Sequence, residues 1–269
     1  MSAGRALHEL GDLTRRLRAE CPWDREQTAA TIVPHTIEEA YEVADAALSG
    51  DRAKLLDELG DLLFQTFFLA LLLEEEGAGG LQQIAEVVHA KLVRRHPHVF
   101  GDAEAATAGR VRERWEAIKT EQEGRSGVFH DLPASLPALL HARKAQRRAA
   151  TVGFDWPSVE GPLAKLDEEL GELTAEVARA GPPEPERPPD PAVFAELGDL
   201  LFTVVNAARM LNVDPELALR ATTARFVGRV ELAEQLAAAG GEAWSELALG
   251  RQEHWYAAAK VLLAARRAP

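Results

Sequence analysis

Two acidic patterns recur along this chain. Glu38-Glu39-Ala40-Tyr41-Glu42 is followed by Glu58-Leu59-Gly60-Asp61-Leu62-Leu63-Phe64, and much later Glu168-Glu169-Leu170-Gly171-Glu172 is followed by Glu196-Leu197-Gly198-Asp199-Leu200-Leu201-Phe202. On a helix, residues three or four apart share a face, with Cβ atoms roughly 5–6 Å apart. Glu39 therefore pairs with Glu42, Glu58 with Asp61, Glu169 with Glu172, and Glu196 with Asp199. Two such helices facing each other would bring four carboxylates to one point. That arrangement suits a hard cation such as Mg²⁺, and without one the acids would repel and partly protonate. Charge runs usually decorate solvated faces. Here, however, each Glu-x-x-Asp runs straight into Leu-Leu-Phe, at the edge of a core where an unpaired acid is costly. The repetition makes metal binding the stronger reading.

The elements that must hold these acids read as helices. Leu7, Leu10, Leu13 and Leu17 recur at helical spacing and end before Cys21-Pro22-Trp23-Asp24, which reads as a turn. Thr36 followed by Glu39 matches a capping box, so a helix is expected from Thr36 to about Leu48, with Ser49-Gly50 as its stop. In that reading Glu39 could be a cap as well as a ligand. A long helix is expected from about Asp51 to Glu76, another over Leu81 to Arg95 ending at His96-Pro97-His98, and another over Val111 to Glu123. The pattern restarts at Ser135, with a helix to about Ala150 and the turn Gly153-Phe154-Asp155-Trp156. Helices are then expected over Pro162 to Ala180, Ala192 to Leu211, Asp214 to Ala239, and a last segment to near Arg267. Gly181 to Pro191 is a proline-rich connector. No stretch alternates with period two. The expected fold is all-α, two tandem helical bundles at 1–124 and 135–269 joined by a linker at about 125–134.

Composition narrows the function. A length of 269 residues with 46% hydrophobic residues supports two modest globular units. A net charge of −13 argues against a broad nucleic-acid or membrane-surface footprint. One cysteine, Cys21, excludes an internal disulfide framework and a multi-cysteine zinc site. No apolar run is expected to span a membrane and the N-terminus lacks a signal-peptide core, so the expected location is cytoplasmic.

Laying one half over the other pairs further residues. Lys91-Leu92-Val93-Arg94-Arg95 matches Arg225-Phe226-Val227-Gly228-Arg229, so cations recur four apart on one helix face. Trp115, with Lys119 four later, matches Trp255, with Lys260 five later; Lys54, four before Glu58, matches Ala192. Such cations are either salt-bridge partners for the acids or ligands for phosphate oxygens, with a Trp offering its face to a base. Spacing alone leaves both open.

Taken in order, Cys21-Pro22-Trp23-Asp24, Glu38-Glu39-x-x-Glu42, Glu58-Leu59-Gly60-Asp61, Arg94-Arg95-His96-Pro97-His98-Val99-Phe100, Trp115-Glu116-x-Ile118-Lys119, Gly153-Phe154-Asp155-Trp156 and the second acidic set resemble the two-domain MazG-type nucleoside triphosphate pyrophosphohydrolases over nearly the whole chain. The resemblance implies an all-α pyrophosphohydrolase fold, Mg²⁺ dependence with Mn²⁺ as an alternative, a homodimer, and cleavage of a nucleoside triphosphate to the monophosphate and pyrophosphate. Glu39, Glu42, Glu58 and Asp61 are then the expected metal ligands, with Glu38 holding or deprotonating the attacking water. Glu169, Glu172, Glu196, Asp199 and Glu168 take the same places in the second half. Lys54, Lys91, Arg95 and Lys119 are the expected triphosphate contacts of the first half, Arg225 and Arg229 those of the second, and Trp115 and Trp255 pack against the nucleoside. The halves are not equally intact: the second has Ala192 for the lysine, Gly228 for Arg94, and Thr223 where the family pattern suggests an Asn.

Two other classes fit an all-α acidic chain. A di-iron carboxylate bundle wants Glu-x-x-His on two helices, and Glu86-x-x-His89 is the single instance, outside the duplicated acids. A non-catalytic scaffold would use the acids only to bridge Lys and Arg. His96 and His98 flank Pro97, a spacing that suits helix-end packing better than zinc.

Overall fold

The computed structural model describes residues 2–101, 127–130, 132–182 and 188–265. Among these residues there is no strand, and the chain divides into two units, Met1–Arg125 and Ser126–Pro269. The helix expected over Val111 to Glu123, with Trp115 and Lys119, lies outside the described residues.

The first unit contains α1 (Ala3–Glu20), α2 (Pro22–Glu26), α3 (Ala29–Ser49), α4 (Arg52–Glu75), α5 (Leu81–Arg95) and α6 (Pro97–Phe100). The segment expected as a turn after Cys21 is the short helix α2, because Pro22 sits at its first position, where no backbone N–H is needed. Helix α3 begins seven residues before the expected Thr36. Thr28 and Thr31 cap it reciprocally, Thr31 N–H donating to Thr28 Oγ1 at 3.3 Å and Thr28 N–H to Thr31 Oγ1 at 2.8 Å. Thr36 is interior, its hydroxyl donating to the Ile32 carbonyl, so Glu39 is not a cap. Gly50 in the left-handed region (φ 76°) ends α3, and the Asp51 carboxylate accepts from the N–H groups of Ala53 and Lys54 at 3.0 Å to start α4. This two-residue connection folds α3 and α4 against each other. Their seam is filled by Ile32, Phe68 and Leu72, with Phe64 and Leu69 around them, and Phe68 is wholly buried. Burying one such ring stabilises the fold by roughly 1.5–3 kcal/mol.

The second unit contains α7 (Ala138–Thr151), α8 (Glu160–Ala180), α9 (Pro191–Met210), α10 (Pro215–Ala239), a 3-10 turn (Trp244–Glu246) and α11 (Leu249–Ala265). Asp190 caps α9, its carboxylate accepting from Ala192 N–H at 2.9 Å, and Pro191 takes the first helical position. Helix α9 packs on α8 and α7, and α10 packs on α11. An Arg143–Asp214 ion pair ties α7 to the cap of α10. Contrary to the sequence expectation, α9 is long and apolar enough to cross a membrane by length and composition. It carries Glu196, Asp199 and Arg209 and packs on α8 and α7, with Thr203, Val205 and Ala207 buried while Phe194, Leu197 and Leu201 stay exposed.

Candidate functional site

Each unit gathers three of its repeated acids. Carboxylate oxygens of Glu39, Glu58 and Asp61 lie within 4.8 Å of one another, as do those of Glu169, Glu196 and Asp199. The cause is the helix pairing: Glu39 on α3 meets Glu58 and Asp61 on α4, and Glu169 on α8 meets Glu196 and Asp199 on α9. One acid of each set is buried, Glu58 at 7% exposure and Glu169 at 5%. Glu42 and Glu172 stand beside their clusters. Glu42 is exposed, and its charge is among the causes that raise Glu58, as that of Glu172 is for Glu196.

Burial, then the neighbouring carboxylates, push Glu39, Glu58 and Glu196 above the ordinary carboxyl range. Crowded acids at the edge of a core that resist ionisation are a donor set one divalent ion would satisfy: several hard oxygens converge, and a cation would offset the repulsion.

Two lysines flank the clusters from different helices. Lys54 Nζ lies 3.7 Å from Glu58 on α4, whereas the second unit has Ala192 there and uses Lys165 on α8 instead, 2.6 Å from Glu168 and 2.9 Å from Glu169. Hydrogen bonds to Glu168 and then Glu169 hold the Lys165 ammonium above its ordinary range. Sequence reasoning missed Lys165, although it stands four before Glu169 as Lys54 stands four before Glu58. Of the two proposed bases, Glu38 is exposed beside His35 at 3.7 Å and Glu168 is exposed and bound to Lys165.

The remaining predicted residues are less gathered. Lys91 and Arg95 lie one turn apart on α5, and Arg225 and Arg229 one turn apart on α10, where the Arg225 guanidinium donates to Thr222 Oγ1 at 2.7 Å. Trp255 is engaged elsewhere: its Nε1 donates to Glu242 at 2.8 Å, the Arg251 guanidinium lies 5.0 Å from its ring centre, and its ring closes on Gly240. Hydrogen bonds from Arg251 and then Trp255 hold the Glu242 carboxyl down at about 2.

A cavity of about 640 Å³ opens beside the second cluster, with Lys165, Glu169 and Asp199 in its wall. The cavity is also lined, with Gln146, Thr203 and Asn206 among its polar residues, by Phe129, Phe154, Trp156 and Phe202. Two of these come from the turn before α8, anchored by the Arg209–Asp155 ion pair, in which Nη1 donates to Oδ2 at 3.0 Å. Phe129, within the expected linker, belongs to this wall, and the neighbouring His130 carbonyl accepts from Arg148. A largely apolar cavity of this size with aromatic residues, acids and a lysine in its wall suits a flat ring system joined to an anionic tail.

Comparison with known proteins finds a matching family and relatives over much of the chain. A family model described as the MazG nucleotide pyrophosphohydrolase domain matches residues 27–100, which hold the first acidic cluster. A nucleoside triphosphate pyrophosphohydrolase of Escherichia coli K12 is 44% identical over 224 residues, 82% of this chain and 83% of that relative. A protein of Thermotoga maritima named nucleoside triphosphate pyrophosphohydrolase/pyrophosphatase MazG is 38% identical over 263 residues, 96% of this chain and 97% of the relative. A Mycobacterium tuberculosis nucleoside triphosphate pyrophosphohydrolase is 32% identical over 153 residues, 56% of this chain and 47% of the relative.

Proposed function

The chain belongs to the MazG nucleotide pyrophosphohydrolase family, and on that premise we propose that it hydrolyses nucleoside triphosphates to the monophosphate and pyrophosphate at its paired-carboxylate clusters. The observation that carries this reading is the convergence of three acids within 4.8 Å in each unit, one of them buried. Glu39, Glu58 and Asp61 with Glu42, and Glu169, Glu196 and Asp199 with Glu172, would hold Mg²⁺ or Mn²⁺. A divalent ion held by these residues would neutralise phosphate oxygens and make water more acidic.

The chain's own residues supply the rest. Lys165 in the second unit and Lys54 in the first put a positive charge beside the acids for the triphosphate, with Lys91 and Arg95, and Arg225 and Arg229, as further phosphate contacts. Glu38 and Glu168 orient the attacking water and take its proton as its oxygen bonds to phosphorus, the α–β anhydride bond breaks, and pyrophosphate leaves with that electron pair. Removal of damaged or surplus nucleotides is the cellular role this activity fits.

A homodimer fits the exposed apolar rows on α4 (Leu56, Leu59, Leu63) and α9 (Phe194, Leu197, Leu201), where Leu56 is 75% and Phe194 70% exposed. Light scattering should return twice the chain mass; a monomer would remove this part of the proposal. For the activity, the purified chain is incubated with a panel of NTPs and dNTPs plus Mg²⁺. Pyrophosphate and monophosphate should appear in equal amounts and cease with a chelator; orthophosphate with a diphosphate would point to a different hydrolase.

A further inference from the structure

The cavity of the second unit holds an amide whose orientation the fold fixes. Asn206, on α9, lines it together with Asp155, Trp156 and Arg209. Asn206 Oδ1 accepts from Arg209 Nε at 3.0 Å and Nη2 at 2.7 Å, and the same guanidinium is held by Asp155, Nη1 donating to Oδ2 at 3.0 Å. The Arg209 side chain is only 11% exposed, so this anchor is set in the fold. It assigns the two ends of the amide: the oxygen is turned to Arg209, and Nδ2 is the other end. Nδ2 has no partner among the described residues and keeps accessible surface. A fixed donor in a largely apolar wall is thus left for whatever enters the cavity.

A second polar group of the same wall is also unspent. The helical threonines Thr14, Thr66, Thr174, Thr222 and Thr223 each donate to the carbonyl four residues back, at 2.7–3.1 Å. Thr203, 8% exposed and in the cavity wall, makes no hydrogen bond to a described residue, and its hydroxyl oxygen keeps accessible surface. Asp199, Thr203 and Asn206 stand at i, i+4 and i+7 and share one face of α9. At 1.5 Å per residue, Asn206 lies about 10 Å along the helix from Asp199, with Thr203 between them. In a nucleotide the sugar separates the phosphates from the base, so a triphosphate held at the acids carries its base toward Asn206. The first unit lacks this donor: ten residues after Glu58 stands Phe68, wholly buried in the core, where ten after Glu196 stands Asn206.

We propose that Asn206 is a specificity-determining residue: its Nδ2 donates a hydrogen bond to a ring nitrogen or carbonyl oxygen of a base seated in the cavity, with the triphosphate directed toward Lys165, Glu169 and Asp199. This rests on the nucleoside triphosphate reading above and adds to it which part of the nucleotide is read and by which atom. A site that hydrogen-bonds a substrate group rejects an analogue lacking it far more strongly than an apolar wall would, because the donor is left unpaired.

The test uses the full chain carrying Glu58→Gln, so that turnover reports the second unit. Values of kcat/KM are measured with Mg²⁺ for nucleotide pairs differing by one base acceptor. ATP against its 1-deaza, 3-deaza and 7-deaza analogues exchanges a ring nitrogen for C–H, and UTP against its 2-thio and 4-thio analogues exchanges a carbonyl oxygen for the weaker acceptor sulfur. One exchange should lower kcat/KM by about tenfold or more, and its identity names the acceptor that is read. Asn206→Asp keeps the side-chain shape and an acceptor for Arg209 but has no N–H, and Asn206→Leu has neither. Both variants should treat the same pair alike within about twofold while keeping the unaltered circular dichroism spectrum. A residue that only steadied Arg209 would lower kcat/KM for both members and leave their ratio as in the parent. That result overturns the assignment, as does a parent in which no exchange matters. If both variants fail to fold, the parent decides: the Asn206 side-chain amide signal in an ¹⁵N spectrum should shift with the acceptor-bearing nucleotide and not with its partner, and identical shifts overturn the proposal. A protein that hydrolyses no nucleotide at all overturns the proposed function itself, a result distinct from hydrolysis without acceptor discrimination.

Discussion

The indole of Trp156 lies directly on the first turn of α8 at Gly161, where a Cβ would sit 2.4 Å from Trp156 Cε3 and 2.7 Å from its Cδ2. Space, not backbone freedom, demands glycine here, since Gly161 is helical. The contact sets one aromatic wall of the cavity that also contains Glu169 and Asp199.

Gly161→Ala should therefore cost more than it gains. Alanine in a helix is ordinarily favoured over glycine by roughly 0.5–1 kcal/mol, but the new methyl must displace the ring. The expected result is a changed Trp fluorescence spectrum and about tenfold weaker nucleotide binding by the second unit, measured by fluorescence titration. Unchanged binding with raised thermal stability would show that Trp156 does not shape the site.

Lys165→Met separates two roles by sign. Removing the ammonium 2.9 Å from buried Glu169 makes the acid cluster more negative while depriving the triphosphate of a cation. Calorimetry should show Mg²⁺ binding equal to or tighter than in the parent, with KM for NTP raised about tenfold. A fall in both affinities would mean that Lys165 serves only to hold the acids in place.

The raised carboxyls give a pH signature. Glu39, Glu58 and Glu196 hold protons above the ordinary value of 4.5, through burial first and like charge second. Without metal the folded chain then binds more protons than the unfolded chain between 4.5 and the raised values, so stability declines as pH rises through that window. A divalent ion binds the ionised acids and expels those protons, so apparent Mg²⁺ affinity falls as pH is lowered through the same window. Melting temperatures against pH, with chelator and with saturating Mg²⁺, should diverge as pH rises; parallel curves would count against metal binding at these acids.

The acids were legible because Glu-x-x-Asp imposes its own helical geometry and occurs twice beside an apolar run. The all-α class followed from the same periodicity. The start of α3 was not, since Thr28 and Thr31 cap it without the Thr-x-x-Glu signature and the helix continues through Pro34. The cavity was also hidden. It depends on Gln146 meeting the Phe202 carbonyl across 56 residues, and on a ring folding back onto Gly161, contacts that no local spacing encodes. Lys165 could have been found by carrying the Lys54-to-Glu58 spacing onto Glu169 instead of onto Glu196.

The central claim is that converging helical carboxylates carry out the hydrolysis, and it is tested most directly by pyrophosphate release from NTP with Mg²⁺ in Glu39→Gln, in Glu169→Gln and in the chain carrying both. Each single variant should lose the turnover of its own unit, on the order of 10²-fold or more for that site, and the double variant should release essentially none while keeping its helical spectrum. Release at the parent rate by the folded double variant would contradict the account.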